Sequence, residues 1–257
     1  MKISCAQITQ IYGNPRAAFA AAESFIAASD ADMIIFPEQY ATGWRAEGFP
    51  DADSTAVKEQ WLSLAKTYQK CIVGSYQRKV RSDASARPEN CMLISSPDGE
   101  VLAEYAKMHL FSPAGEDNHF SAGKEAVTFE FGGIRFGCAV CFDLRFPELF
   151  REYLHAGCQC VLVQAAWPAA RIADWELLLR ARALENRCYV LGCNCIGYDE
   201  VCGVDYCGRS MVCDWEGKVA EDAGVFEGGA EWEVEGEEAV NKVADVQTFW
   251  SLRGVKR

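Results

Sequence analysis

Apolar residues along the chain fall into short blocks whose spacing switches between two and about 3.6 residues, and these blocks predict alternating strands and helices. Residues 2–8 (KISCAQI) read as a strand. Asn14 followed by Pro15 is an N-cap with proline at the first helical position, and Ala18, Phe19, Ala22, Phe25 and Ile26 recur at helical spacing up to Asp30. The run MIIF at 33–36 stops at Pro37, so the chain opens strand, helix, strand, as α/β folds do. Val57, Trp61, Leu64 and Tyr68 step by four, three and four, which predicts a one-faced helix after Ser54, with CIVGSYQ (71–77) as the next strand.

Two hairpins follow. CMLIS and VLAEYA flank Pro97-Asp98-Gly99, and VTFEF and IRFGCAVC flank Gly132-Gly133, so the second strand of the second pair runs over 134–141 and ends in Cys141. Beyond it the pattern predicts a helix from Pro147 to about Ala156 and a buried strand CVLVQAAW (160–167). A helix from Asp174 to about Asn186 carries Leu177, Leu178, Ala181 and Leu184, and CYVLGCNCI (188–196) is a further apolar strand. A hairpin around Asp214-Trp215-Glu216-Gly217 comes last. With no long Ser/Pro/Gly linker and no internal repeat, residues 1–257 are expected to form a single domain with a short C-terminal tail from about 236.

Composition narrows the function classes. The 50% hydrophobic and 24% charged content is that of a globular protein, and no apolar run approaches the roughly 18–20 residues of a membrane-spanning helix. A net charge of −12 without any Lys/Arg cluster argues against nucleic-acid and anionic-lipid partners. Residues 219–241 hold eight acids (Glu221, Asp222, Glu227, Glu231, Glu233, Glu235, Glu237, Glu238) and no Lys or Arg, a solvated face. The 13 cysteines are too sparse for a disulfide scaffold, odd in number, and preceded by no secretory leader, so reduced thiols in a cytoplasmic protein are expected.

Cys141 differs from the other cysteines in context. It closes an apolar strand and is followed at once by polar FDLRFPE, which sets its sulfur at a strand end facing a cleft, where it could act as a nucleophile given a base and an oxyanion donor. Glu38 follows MIIFP, where partial desolvation would raise its pKa toward neutrality and suit it to accept a proton. Lys107 follows VLAEYA, where an ammonium could pair with that carboxylate and stabilise an oxyanion. One charged residue past a strand is most often a solvated cap; three such groups suggest one rim. The histidines are His109, His119 and His155, and a papain-like Cys/His arrangement stays open. Cys138-x-x-Cys141, with Cys158, Cys160, Cys193 and Cys195, also has the spacing of a thiol redox or metal centre, against which stands the tendency of cysteines in apolar strands to act as small buried hydrophobes. A catalytically silent scaffold is the remaining class.

These residues carry a resemblance. FPEQYATGW around Glu38, YAKMHLF around Lys107 and CAVCFDLRFPE around Cys141 resemble the nitrilase superfamily of carbon–nitrogen hydrolases in order and spacing, and so do AAWP at 165–168, WELLLRARALENRCYV at 175–190 and G-x-x-Y-x-G-x-S at 203–210. FWSLRG matches more loosely, and Asp214 stands where members often have proline. The resemblance implies a four-layer αββα sandwich that associates as a homodimer, needing no metal or organic cofactor. It implies Cys141 as nucleophile, Glu38 as proton acceptor and donor, Lys107 with the backbone N–H of Phe142 as oxyanion site, and Glu116 as a second glutamate positioning substrate and water. CFDLRFPE with ENRCYVLGCN resembles most the ω-amidase branch, whose members hydrolyse the terminal amide of small acids such as α-ketoglutaramate or α-ketosuccinamate. Aliphatic amidase, nitrilase and N-carbamoyl hydrolase are the alternatives within the superfamily. Arg145 is then the candidate for the substrate carboxylate, since an arginine at the matching place binds it in related carbamoylases; read from the residues alone, Arg145 could equally pair with Glu148 or another wall carboxylate. Tyr40, Phe142 and Trp167 are expected to line the pocket.

Overall fold

The structure, a computed structural model, describes residues 1–49, 54–79, 87–200 and 202–233. The expected tail from about 236 and the FWSLRG stretch lie outside the described residues. The N-terminal half supplies β1 (Lys2–Gln7), α1 (Pro15–Ala28), β2 (Met33–Ile35), α2 (Ser54–Tyr68), β3 (Cys71–Arg78), β4 (Glu89–Ser95) and β5 (Val101–Ala106). The second half supplies β6 (Thr128–Phe131), β7 (Ile134–Val140), α3 (Pro147–His155), β8 (Cys160–Ala165), α4 (Ile172–Asn186) and β9 (Tyr189–Asn194). It closes with β10 (Ile196–Asp199), β11 (Val204–Cys207), β12 (Met211–Cys213), β13 (Val219–Asp222) and β14 (Gly228–Glu233).

Two six-stranded sheets result, ordered β14-β1-β2-β3-β4-β5 and β13-β12-β9-β8-β7-β6, with β10 and β11 as a separate ribbon. β1, β2 and β3 run parallel, as do β7, β8 and β9, each reached through a helix as parallel neighbours require. In the first sheet the two-residue alternation decides the layers. Ile3, Met33 and Cys71 stand in register, as do Cys5, Ile35 and Val73, and these face the second sheet. The intervening Ile34 and Ile72 join Ala18, Ala22, Ile26, Trp61 and Leu64 in a core under α1 and α2. On the other side α3 and α4 cover the second sheet through Phe150, Tyr153, Trp175 and Leu179. Helix, sheet, sheet and helix therefore form the four expected layers.

Local signals match these elements. The Asn14 side chain accepts the Ala17 N–H at 3.1 Å, capping α1 ahead of Pro15. In the β12–β13 turn the Asp214 carboxylate accepts the N–H groups of Glu216 and Lys218 at 2.8 and 2.9 Å, an Asx turn that does the work of the missing proline.

Three expectations are corrected. Helix α4 does not bury Leu177 and Leu184, which are 65% and 51% exposed; its inward face is Trp175, Leu179, Arg182, Ala183 and Asn186. Gly192 of β9 leaves the space that Trp175 and Leu179 fill, since a Cβ there would lie 2.6 Å from each, and the Leu144 carbonyl draws Arg182 inward at 3.1 Å. The strand leading to Cys141 stops at Val140, and Cys141 opens a short 3-10 turn with φ 49°. Finally, the acidic stretch is more than a solvated face. It contributes the edge strand β13 to one sheet and β14 to the other, with Glu231 bridging to Lys2 at 2.6 Å and Asp222 to Arg209 at 2.6 Å.

Candidate active site

The C-terminal ends of β2, β5, β7 and β8 converge where the two sheets meet. Gln164 on β8 reaches across the interface and donates to the carbonyls of Phe36, Val73 and Gly74 at 2.7, 3.1 and 3.1 Å, while the Glu38 N–H donates to Ala165 O at 3.3 Å. These bonds fix the segment after β2 against the second sheet. Gln39, next to Glu38, has φ 51°, and Cys141 has φ 49°. Left-handed backbone at a non-glycine residue costs on the order of 1–3 kcal/mol and persists only where the surroundings hold it. Both strained positions adjoin or carry an expected site residue.

Glu38, Lys107, Glu116 and Cys141 come together. Lys107 Nζ lies 2.7 Å from Glu38 Oε1 and 2.9 Å from Glu116 Oε2, with all three side chains removed from solvent. Asn90 Nδ2 donates to both carboxylates, at 2.8 Å to Glu38 and 3.0 Å to Glu116. The Phe111 N–H donates to Glu116 Oε2 at 2.6 Å, and the Ala166 N–H to Glu38 Oε2 at 3.3 Å. The thiol of Cys141 stands beside Glu38, close enough for the carboxylate to raise its pKa.

The electrostatics follow from one cation held between two carboxylates in a dry site. Burial pushes the Glu38 carboxyl above its ordinary range, and the neighbouring Glu116 charge adds to this against the pull of Lys107. Burial alone would also raise Glu116, but Lys107, the Phe111 N–H and the Asn90 amide outweigh it and hold Glu116 below the usual carboxylate range. For Lys107 the two carboxylates outweigh desolvation and keep the ammonium well above its usual value. Burial, then the Glu38 charge, pushes the Cys141 thiol well up, which favours a thiol beside a carboxylate.

Cys141 opens onto a cavity of about 310 Å³, within the small-ligand range, whose lining includes Trp44, Phe111, Phe142, Arg145, Trp167 and Tyr206. Phe142, Arg145 and Trp167 all stand in this wall. Arg145 has a wall partner as well: its Nη2 is 2.6 Å from Asp174 Oδ2 rather than from Glu148. Tyr40 is a correction. It lies fully buried in the core beneath α1 and α2, its ring 5.5 Å from that of Phe36, and is absent from the cavity lining. The left-handed turn at Gln39 sends it there. His109 is not among the lining residues of the cavity; its Nδ1 sits 2.8 Å from Asp143 Oδ1 and its ring stacks on that of Phe146, 3.7 Å between centroids. Cys138 is buried between the sheets. Among the described residues no group of three or more His, Cys, Asp or Glu side chains could hold a metal ion, and no helix is long and apolar enough to cross a membrane.

Several contributors escaped the sequence reading. Asn90 is the second residue of β4 and carries no motif. Asp143 stands inside CFDLRFPE with no signal of its own, and His109 stood out only as a possible base. Asp143, fully buried, accepts from Tyr105 Oη at 2.7 Å, from the N–H groups of Val140 and His109 at 2.9 Å each, and from His109 Nδ1. One carboxylate on the Cys141 turn thereby grips both flanks of Lys107. Arg45 and Asp199, also buried, pair through two contacts of 2.5 and 3.1 Å and join the loop carrying Trp44 to the β10–β11 ribbon carrying Tyr206, both walls of the cavity.

Comparison with known proteins places this geometry among relatives. The family model described as carbon–nitrogen hydrolase matches residues 2–231. The chain is 32% identical over 257 residues to the 2-oxoglutaramate amidase of Bacillus subtilis, covering 98% of this chain and 97% of that protein. It is 36% identical over 192 residues to the omega-amidase YafV of Yersinia enterocolitica, covering 75% and 72%. Among solved structures, a CN-hydrolase superfamily protein from Xanthomonas campestris with an arsenic adduct in its active site superposes with a TM-score of 0.87 at 27% identity, over 100% of this chain and 98% of that one.

Proposed function

The chain belongs to the carbon–nitrogen hydrolase family and hydrolyses carbon–nitrogen bonds; from that premise we propose that it cleaves the terminal amide of a small carboxylic acid through a thioester on Cys141. The observation that carries this reading is the Cys141 thiol, open to the cavity and beside a Glu38 that shares Lys107 with Glu116.

An amide combines a weak electrophile with a poor leaving group, so attack, oxyanion stabilisation and nitrogen protonation must be supplied together. The Cys141 sulfur attacks the amide carbon as its proton passes to Glu38. The carbonyl oxygen becomes an oxyanion held by Lys107 and by the Phe142 N–H, which lies in the first turn of a 3-10 segment where N–H groups lack an intrahelical acceptor. Protonated Glu38 delivers its proton to the nitrogen, the C–N bond breaks and ammonia leaves. Water then gives a proton to Glu38 and its oxygen to the thioester carbon. The tetrahedral intermediate collapses, the C–S bond breaks, and the acid and the thiol are restored. Glu116 orients Lys107 and the incoming groups. These steps use no metal or organic cofactor.

α-Ketoglutaramate is the substrate this reading favours, supported by the name and near full-length similarity of the Bacillus subtilis relative. The enzyme is further read as a cytoplasmic homodimer, in keeping with its free thiols and with Leu177 and Leu184 standing exposed on α4; light scattering on the purified protein tests the dimer. The test of the reaction is ammonia release from α-ketoglutaramate, glutamine, N-carbamoyl-β-alanine and a simple nitrile, with Cys141→Ala alongside. The expected result is turnover of α-ketoglutaramate, abolished in Cys141→Ala with an unchanged melting curve. Turnover of the nitrile alone, or activity surviving the substitution, overturns the reading.

A further inference from the structure

We propose that Arg171, rather than Arg145, recognises the free carboxylate of the substrate; this rests on the amide-hydrolysis reading of the Cys141 site and extends it to specificity. Both arginines line the cavity that Cys141 opens onto. They differ in what already compensates their charge. Arg145 lies over the Trp167 ring, 5.1 Å from its centroid, and Nη2 is 2.6 Å from Asp174 Oδ2. One edge of its guanidinium is occupied and its charge is met by a wall carboxylate.

Arg171 has no ion pair with a carboxylate among the described residues, and its guanidinium lies 5.6 Å from the Phe111 ring centroid. Its backbone is fixed: the N–H donates to Pro168 O at 3.0 Å, and the carbonyl accepts from Trp167 Nε1 at 2.8 Å. Trp167 in turn donates its own N–H to Asn194 Oδ1 at 2.7 Å. A long side chain is thus rooted on a rigid corner while its charged end stays available.

The remaining wall sharpens the choice. Most of the lining is apolar or aromatic, and its other charged member is Glu47, which repels an anion. A carboxylate entering a chain of net charge −12 needs a local uncompensated cation. A planar guanidinium meets it with two parallel hydrogen bonds, which a point charge cannot reproduce.

The experiment measures kcat/KM for α-ketoglutaramate and for neutral butyramide in the wild type and in Arg171→Gln, Arg171→Lys, Arg145→Gln and Asp174→Asn. The readout is the ratio of the two values, so a general folding defect cancels. In Arg171→Gln the ratio is expected to fall roughly thirtyfold, through KM for the anionic amide, with part of the loss recovered in Arg171→Lys. Asp174→Asn, which frees Arg145, is expected to hold or raise the ratio. Collapse of the ratio in Arg145→Gln with no change in Arg171→Gln overturns the assignment, and so does an equal loss on both amides in Arg171→Gln. A wild type that cleaves both amides equally well keeps the reaction and removes the carboxylate site. One that cleaves neither removes the amide-hydrolysis reading itself.

Discussion

Replacing Asp143 by Asn tests whether the turn that carries Cys141, the proposed nucleophile, and the segment that carries Lys107 are held as one unit. The carboxylate accepts four hydrogen bonds in a site closed to solvent: Tyr105 Oη and the Val140 N–H on Oδ2, and the His109 N–H and Nδ1 on Oδ1. Asparagine keeps one oxygen and turns the other into an NH₂. Tyr105 can rotate its hydroxyl and His109 can change tautomer, so each can accept instead of donate. The two backbone N–H groups cannot. Whichever way the amide is set, one of them faces another donor. A buried donor left without an acceptor costs about 1–3 kcal/mol, and loss of charge assistance on the remaining bonds adds about 1 kcal/mol, so a destabilisation of about 2–4 kcal/mol is expected. For activity, a displacement of Lys107 against Cys141 approaching 1 Å predicts a loss of up to about a hundredfold in kcat. KM should move little, because Asp143 is absent from the cavity lining. The measurements are thermal melting, kcat and KM on the preferred amide, and the rate of Cys141 alkylation by iodoacetamide. A lower melting temperature with unchanged kcat and alkylation rate would make Asp143 a stability residue only, and no change in any of the three would refute the reasoning.

Glu116→Gln removes the like charge that helps to raise Glu38. In the proposed reaction Glu38 must be ionised to accept the thiol proton, so kcat/KM is expected to rise with pH through its pKa; lowering that pKa moves the acid limb to lower pH, with a smaller maximum because Lys107 loses a partner. A pH–rate profile whose acid limb stays put or moves upward contradicts this. Arg45→Met leaves Asp199 buried without its cation, which costs about 3–5 kcal/mol when a buried pair is broken from one side. Chemical denaturation should show that loss. Because the pair joins two cavity walls, KM should rise more than kcat falls, and the opposite split would count against the wall-coupling role.

How much of this was legible in the sequence depended on whether a residue's partners were local. Cys141, Glu38 and Lys107 could be singled out because each follows an apolar run that stops abruptly, and strand ends converge in a sandwich of this kind. Asn14 and Asp214 announced their turns because their bonds reach only two to four residues along the chain. Asn90 and Asp143 gave no such signal, since their partners lie across the fold and include backbone N–H groups that no motif encodes. Tyr40 misled for a local reason: one left-handed residue reverses the direction that adjacency to Glu38 suggests. The face of α4 was misjudged because leucine spacing cannot register a glycine on the facing strand, and Gly192 decides which side chains enter. Strand β14 was hidden because Ala230 alone of its six residues is buried, so it carries little inward alternation.

Charge counting shows how the proposed reaction can use a cysteine without a histidine. With both carboxylates ionised around Lys107, the trio Lys107, Glu38 and Glu116 carries one net negative charge in a dry environment. Ionising Cys141 in advance would raise that to two, which is why burial and the Glu38 charge hold the thiol protonated. In the proposed reaction the thiolate never stands alone. As sulfur bonds to the amide carbon its proton neutralises Glu38, and the negative charge reappears on the substrate oxygen beside Lys107. The cluster's total charge is the same before and after, and Lys107 exchanges a carboxylate partner for the oxyanion. The oxyanion is therefore met by an ammonium already fixed by Glu116, with little reorganisation, the condition under which electrostatic stabilisation is most effective. A thiolate–imidazolium pair would react with iodoacetamide rapidly at mildly acidic pH; Cys141 is expected to react slowly there and faster as the pH rises, and rapid alkylation of the free enzyme at low pH would show that the charge is separated before substrate arrives.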